Sequence, residues 1–419
     1  MGEQLHKKFV DEEIKALLEK YLNNQIELDY VLQILGIKRR RFFELLSGYK
    51  SNPEGFSIQY KRTTSKKIRK HLEKIIIKEL ETEKEMIENK DIPIRFYNYS
   101  YIKDQIFKKY QQKVSVPTII TRAKQNNYYI PKPQSKTHDR EVLTNYPGEL
   151  IQHDSSHHLW APYAQNKWYL ITSIDDYSRY LLYAALLEKE SSWAHIAALE
   201  SVFLTFGIPF RYYTDNHSIF RFVQGRDSVW REHRKLTDDV DPQFKQVLND
   251  CNVKITYALS PQAKGKIERP YQWLQDRIVR TCARENIKTI EPAQEVLRYE
   301  VHRYNNIQKH STTLEIPAVR FQNAVNNNKT LFRRFNIRPP YLSHKDIFCL
   351  REERTVDAYR KISIDSLQLR IQNAPIGEKI QLRIYPDTKT RLAEIRCWHN
   401  GKLIDAINVK LSDLKSVHF

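Results

Sequence analysis

The sequence predicts a multidomain chain with three kinds of architecture: all-α units at the N-terminus, a central mixed α/β sheet carrying helices, and a small β-barrel at the C-terminus. Three observations carry this. Apolar residues recur at helical spacing through much of residues 11–126. β-like and helical runs alternate between residues 149 and 305, the pattern of a sheet with helices packed on it. Short alternating runs separated by turn residues fill residues 345–410. With 41% hydrophobic residues over 419 positions, the chain has material for about three cores.

The N-terminal elements follow from local signals. Residues 28–46 give two short helices joined at Gly36, which has no Cβ to oppose the positive φ of a tight helix–helix turn. Lys38, Arg39, Arg40 and Arg41 open the second helix, where a helix-turn-helix faces a DNA groove. The plainer alternative for residues 1–60 is a helical hairpin with a solvated basic face. Residues 61–135 suggest a second unit of the same kind: a helix over 65–89, one near 101–110, and one from Val116 capped by Ser115. That last helix carries Arg122 and Lys124, and Tyr128-Tyr129-Ile130 after it is a candidate wing strand. Residues 136–147, ending at Pro147, are expected to be an extended linker.

In the centre, a strand near 149–155 precedes a hairpin of 168–174 and 180–187 around Asp175-Asp176-Tyr177-Ser178-Arg179. A helix capped by Ser191 or Ser192 runs to Phe206 and stops at Gly207. A short strand over 210–214 meets a polar insertion at 216–241. A helix over 242–251, a strand over 253–259, a helix entered at Gly265 and another over 292–305 complete the segment. After a basic connector, six short strands between 346 and 409 suggest an SH3-like barrel over 340–419. Its expected turns are Gly377-Glu378, Pro386-Asp387 and Asn400-Gly401.

Charge narrows the partner. There are 69 basic and 50 acidic residues, a formal net charge of +19. That favours a polyanion, with DNA or RNA ahead of a membrane surface. Neither a signal peptide nor a myristoylation site is expected at the N-terminus. The longest apolar run, residues 180–187, is far below the roughly 20 residues of a spanning helix. A cytoplasmic, nucleoid-associated protein with no membrane partner is expected. Cys251, Cys282, Cys349 and Cys397 are scattered without a CxxC pair, so zinc is not expected.

Three carboxylates stand at the edges of these elements. Asp154 lies on the first strand, Asp215 ends the fourth, and Glu268 lies in the first turn of a helix with the apolar stripe Ile267, Tyr271, Leu274 and Ile278. Carboxyl ends of strands are where sites form in α/β sheets. Three acids can hold two divalent cations about 3.5–4 Å apart, the arrangement phosphodiester chemistry uses. Mg2+ suits it, with Mn2+ able to substitute, because it takes few carboxylates and keeps several waters. Spacing alone does not decide, since a lone Asp at a strand end is more often a cap. Lesser candidates surround the three. His157 and His158 follow Asp154. Asp175 and Asp176 favour a turn role. Lys264, Lys266 and Arg269 flank Glu268 as phosphate contacts. Phe222 and Trp230 could pack or stack on bases.

The residues around the acids are more specific. Asp175-Asp176-Tyr177-Ser178-Arg179, then Gly207-Ile208-Pro209 with Thr214-Asp215-Asn216, then Ser260-Pro261-Gln262-Ala263-Lys264-Gly265-Lys266-Ile267-Glu268-Arg269 occur in that order. Tyr304-Asn305-Asn306, His310-Ser311 and Pro317 close the series. With these, segment 149–325 resembles the integrase catalytic core of bacterial insertion-sequence transposases, ISNCY-like in flavour and related to retroviral integrases and phage Mu transposase. The resemblance implies an RNase H-like core over 148–328, with Asp154, Asp215 and Glu268 as a catalytic triad holding two Mg2+ ions. It implies double-stranded DNA as partner, both element ends and target, and a homo-oligomer on that DNA. It implies cleavage at the ends of a mobile element and joining of the freed 3′-hydroxyl to target DNA. The chain departs from the pattern in its 52 residues between Asp215 and Glu268, in Asn216-His217, and in Lys309 where Arg is common. Two other readings stay open: an RNase H-like nuclease without strand transfer, and a catalytically silent, transposase-derived DNA-binding protein.

Replacing Lys38, Arg39, Arg40 and Arg41 with Ala is expected to weaken binding to element ends. The log–log salt slope should flatten by about one unit per lost phosphate contact. Fluorescence anisotropy across a salt series measures this, and an unchanged slope removes this helix from the interface.

Overall fold

The computed structural model describes residues 5–59, 68–131, 144–214, 243–257, 265–364 and 367–414, with backbone only at 265–270. The chain divides into two compact units, residues 1–74 and 75–419.

In the first unit, α1 (Asp11–Leu22), α2 (Leu28–Leu35) and α3 (Arg39–Ser51) enclose Ile14, Leu18, Val31, Leu35, Phe42 and Leu46. Gly36 ends α2 at φ +63°, the left-handed conformation expected of it.

The division falls within α4 (Lys70–Glu88), and α5 (Tyr99–Tyr110) and α6 (Val116–Gln125) follow in the second unit. The helix expected from Ser65 thus starts at Lys70. Ser115 caps α6 by accepting from the Thr118 amide at 3.3 Å. Tyr128-Tyr129-Ile130 is not a wing strand. Its backbone packs on the start of α5, where the Tyr99 hydroxyl donates to the Tyr128 carbonyl at 3.1 Å and the Tyr99 and Tyr129 rings stack at 6.3 Å. The expected linker also stops short. Thr144 is buried and donates to Asp176 at 3.0 Å, and the Pro147 carbonyl accepts from the Leu331 amide at 2.8 Å.

A five-stranded mixed sheet follows. Its strands are β1 (Ile151–His158), β2 (Trp168–Asp175), β3 (Leu181–Leu187), β4 (Arg211–Thr214) and β5 (Lys254–Tyr257), in the order β3-β2-β1-β4-β5. β2 runs antiparallel to β1 and β3, whereas β1, β4 and β5 are parallel. Helices α7 (Ser192–Phe206) and α8 (Gln243–Asp250) cover one face, burying Leu199, Val202, Phe203, Phe244 and Val247 with Ile151. The long α9 (Gly265–Arg284) and α10 (Ile290–Asn306) cover the other, where Tyr271, Leu274 and Ile278 meet Leu170 and Ile174. The edge strand β3 is closed by side chains of α10. Asn305 accepts from the Leu181 amide at 2.9 Å and donates to its carbonyl at 3.0 Å, occupying groups an exposed edge would present to other strands. A further helix, α11 (Pro317–Asn326), was not anticipated from the sequence.

The C-terminal region contains β6 (Leu350–Thr355), β7 (Lys361–Ile364), β8 (Leu367–Arg370), β9 (Lys379–Asp387), β10 (Leu392–His399) and β11 (Lys402–Lys410). Among the described residues they form two open sheets, β11-β10-β9-β6 and the hairpin β7-β8, rather than a closed barrel. The strand expected from Asp346 starts at Leu350, because the Asp346 carboxylate is buried and engages Arg396, the Trp398 indole at 3.1 Å and the Leu342 and Ser343 amides. Pro386-Asp387 is strand, not turn: Pro386 pairs with Ala393, and the reversal falls at residues 388–391. Asn400-Gly401 does form its hairpin, with φ values of +47° and +72°. The core is continuous with the central one, since Phe348 packs on Phe203 at 5.7 Å and Tyr385 on Trp193 at 5.3 Å.

Gly207 ends α7 at φ +103°, and a Cβ there would lie 2.6 Å from the Arg333 carbonyl oxygen. Gly207→Ala is therefore expected to destabilise the chain by about 1–3 kcal/mol from backbone strain alone. Denaturant unfolding tests this; an unchanged midpoint would contradict the close approach.

Candidate active site

Asp154 lies on β1, the middle strand of the sheet. Strand residues alternate between faces. Ile151, His153 and Ser155 therefore share the α7 face, and Gln152, Asp154 and His158 share the α9 face. Asp154 pairs with Thr172 of β2, and opposed residues of an antiparallel pair present side chains on one face. The Thr172 hydroxyl donates to the Tyr271 hydroxyl at 2.9 Å, so α9 is anchored at the level of Asp154. Farther along both elements, the Gln275 amide lies 2.7 Å from His158 Nε2. Thus α9 runs in the same sense as β1. Glu268 lies three residues before Tyr271, in the first turn of α9.

Of the expected triad, Asp154 is the member whose side chain is described. It is partly buried, and its carboxylate is the hard oxygen donor that Mg2+ prefers. Asp215 lies outside the described residues. The strand that leads to it, β4, pairs parallel to β1 with Ile151 opposite Tyr212 and Gln152 opposite Tyr213. Lys266, Glu268 and Arg269 lie in the backbone of α9, while Lys264, Phe222 and Trp230 fall outside the described residues. Among the described residues no group of three His, Cys, Asp or Glu side chains could hold a metal.

The lesser candidates have structural partners. His157 stacks on Tyr169 at 4.2 Å, and burial lowers the pKa of His158. Asp175 organises the hairpin turn, accepting from the Gly148 amide at 2.9 Å and from the amide and hydroxyl of Ser178. Burial pushes its carboxyl up to about 6 even against those bonds. Asp176 pairs with Arg179 at 2.7 Å and accepts from Thr144 and Gln152. Both fill the turn role.

The basic candidates differ in surroundings. Lys38 is exposed, and the Arg39 guanidinium lies 5.9 Å from the Phe43 ring. Arg40 and Arg41 reach Glu44 at 3.3 and 3.0 Å, and the Arg41 hydrogen bond holds the Glu44 carboxyl below the usual range. Arg122 reaches Gln125 at 3.3 Å, and the Lys124 ammonium sits 4.7 Å from the Tyr129 ring centre. All four cysteines are buried and unpaired with one another. Burial raises the thiols of Cys251, Cys282 and Cys397 to about 12, which suppresses the nucleophilic thiolate.

Sequence reasoning missed what holds α9 in place. Arg277 pairs with Glu300 at 2.8 Å and with Asp104; Arg280 pairs with Asp276 at 2.9 Å and with Glu83; Arg284 pairs with Glu79 at 2.5 Å and Glu83 at 3.1 Å. Burial raises the Glu83 carboxyl against the pull of both arginines. A signal existed: Arg277, Arg280 and Arg284 recur at helical spacing, as do Glu79 and Glu83 on α4.

The arrangement is a mixed α/β core with a carboxylate on its middle strand, facing a long helix. No family model matches the chain. It is similar to a Sinorhizobium fredii protein, y4bF, that carries the name of a transposase, with 27% identity over 265 residues, 62% of this chain and 53% of that one. It is similar also to the transposase for insertion sequence IS1202 of Streptococcus pneumoniae, with 31% identity over 182 residues, 43% of this chain and 37% of that one. The matches thus span about half or less of these relatives' length. Among solved structures it is similar to the HTLV-2 integrase catalytic core domain in complex with magnesium, at TM-score 0.31 and 16% identity, covering 42% of this chain and 96% of that one. A simian T-cell lymphotropic virus intasome in complex with PP2A regulatory subunit B56 gamma gives TM-score 0.34 and 13% identity, covering 70% and 92%. Both curated relatives carry the name of a transposase, and one of them is named for an insertion sequence, as the sequence resemblance implied. No described helix is long and apolar enough to cross a membrane.

Removing one hydroxyl of the Thr172–Tyr271 pair, by Thr172→Val or Tyr271→Phe, deprives the other of a buried partner. Each is expected to cost about 1–3 kcal/mol, and the double variant less than the sum. A double-mutant cycle in urea unfolding measures the coupling, and strict additivity would show that this bond does not anchor α9.

Proposed function

We propose that the chain is a DNA transposase of the Asp-Asp-Glu class, which cuts at the ends of a mobile element and joins the 3′-hydroxyl to target DNA. The observation that carries this reading is the anchoring of α9 at the level of Asp154, with Glu268 one turn before the anchor. β4, the parallel neighbour of β1, ends one residue before Asp215. The names of the curated relatives support a transposase.

On this reading the sheet is RNase H-like, and Asp154, Asp215 and Glu268 would hold two Mg2+ ions, with Mn2+ as substitute. Such ions supply activation of an attacking oxygen and stabilisation of the leaving one. The chain's own part is positioning. Asp154 lies on β1, Asp215 follows the parallel neighbour β4 in sequence, and Glu268 lies in the first turn of α9, so the three would meet at one end of the sheet. Lys264, Lys266 and Arg269 flank the site as phosphate contacts, which fix the register of a duplex without reading its sequence. Hydrolysis at the element's end frees a 3′-hydroxyl, and that hydroxyl attacks the target phosphodiester in line, breaking its P–O3′ bond and releasing the target's own 3′-hydroxyl. No protein nucleophile is required. The α2–Gly36–α3 and α5–α6 pairs act as helix-turn-helix units on the element's ends, through Lys38–Arg41 and through Arg122 and Lys124. The chain assembles as a homo-oligomer bridging two ends, in the cytoplasm and on DNA.

Asp154→Asn, Asp215→Asn and Glu268→Gln are each expected to reduce joining by about 10²–10³-fold or more, the loss of several kcal/mol of charge stabilisation. Binding to element ends should stay near that of the unaltered chain. The assay supplies a pre-cut 3′-hydroxyl end, target duplex and Mg2+. Full joining by any variant sinks the assignment, and hydrolysis without joining by the unaltered chain favours the nuclease reading.

A further inference from the structure

We propose that His153, His195, Glu190 and Ser155 form a positioning ring that holds Asp154 from the far side of the sheet. This rests on Asp154 being a site residue. His153 and Ser155 flank Asp154 on β1 and share the α7 face. The His153 Nδ1 lies 2.8 Å from the Ser173 hydroxyl, and its Nε2 lies 2.8 Å from His195 Nδ1. The His195 Nε2 lies 3.0 Å from Glu190 Oε1, and the Ser155 hydroxyl donates to that same oxygen. Hydrogen bonds from the residue before Asp154 and from the residue after it therefore converge on one carboxylate. The circuit closes through the backbone of Asp154 itself.

A carboxylate only accepts, so His195 Nε2 donates to Glu190. Both imidazoles are fully buried, and the His153 ring stacks on Phe244 at 5.3 Å within an apolar layer. Burying polar groups there is unfavourable unless each is bonded, and apolar side chains would fill the layer without that cost. Stability alone therefore does not account for the ring.

Its location does. The β1–β4 pairing reaches Gln152 and Tyr213. The ring holds the strand by side chains on both sides of Asp154, tying β1 to the residues that open α7. Residues that orient a metal ligand without touching the ion act in this way.

The test uses the full chain and Mn2+ alone. Free Mn2+ is read by electron paramagnetic resonance, and thermal midpoint and end binding are read in parallel. Glu190→Leu is expected to raise the half-saturating Mn2+ concentration by about 10–100-fold, the range for loss of an orienting partner. Glu190→Gln, which keeps an accepting oxygen, should recover most of it. Ser155→Ala breaks one side of the ring and should give a smaller rise in the same direction; it serves as the disrupting variant if Glu190→Leu does not fold. Unaltered Mn2+ binding in the disrupting variant, with binding weakened by Asp154→Asn, overturns the ring proposal alone. Unaltered binding in Asp154→Asn overturns the reading of the site, and the ring with it.

Discussion

Everything in the central unit depends on β1 serving two faces at once. It is the middle strand of the sheet, and helices cover both sides. Ile151 must enter the layer under α7 and α8, which sends Gln152, Asp154 and His158 toward α9. A slip of one residue would exchange the faces. It would bury Asp154 among the aromatic rings of Tyr212, Phe203 and Phe244 and expose His153. The position of the carboxylate is thus set by the packing of an apolar neighbour three residues away. The antiparallel pairing along the whole of β1, from Ile151–Asp175 to His158–Trp168, holds that register.

α9 has a comparable double duty. Its apolar stripe, Tyr271, Leu274 and Ile278, packs on the sheet, while Arg277, Arg280 and Arg284 face the acids of α4 and α5. Buried ion pairs recover little net stability, because desolvation offsets much of the attraction. What they do supply is selectivity. Only one rotation and one axial position of α9 match Glu79, Glu83 and Asp104 at the same time. The Tyr101 hydroxyl, 2.8 Å from Thr281, fixes the same register between α5 and α9. The first turn of α9, which bears Glu268, is therefore aimed by contacts that begin three residues after it and run to its far end.

Elements whose signal is local were legible. Gly36 at the turn, Ser115 and Ser191 as caps, Gly207 as a stop and Asn400-Gly401 as a hairpin each act through a few neighbouring atoms, and each sits where its chemistry requires. Asp154 was legible for the same reason, as a polar residue at a fixed step in an alternating strand. What was not legible is tertiary. Tyr128-Tyr129-Ile130 has strand-forming residues but no strand to pair with, so ring stacking on α5 decides its conformation. Pro386-Asp387 has the residues of a turn, yet Pro386 sits within the β9 ladder opposite Ala393. The arginines of α9 resemble a solvated face until their partners, about 175–205 positions earlier in sequence, are brought against them. Asp215 and Glu268 are proposed from the residues around them in sequence.

The C-terminal sheets show how the connector becomes part of the core. Residues 330–333 do not hang between two bodies. The Leu331 amide bonds the Pro147 carbonyl, and Ile208 and Arg333 exchange amide–carbonyl bonds at 2.7 and 2.9 Å. The Arg333 guanidinium donates to the carbonyls of Cys251 and Asn252, closing the end of α8. One short segment thus joins the start of β1, the end of α7 and the end of α8. Phe335 and Phe348 then carry the apolar layer onward to Phe203. Separating the C-terminal sheets from the central sheet would open that layer to water. Area-proportional burial makes such a separation costly, so the two regions are expected to unfold together. A surface carried by β9, β10 and β11 is accordingly held at a fixed distance from Asp154, which a flexible tether could not do.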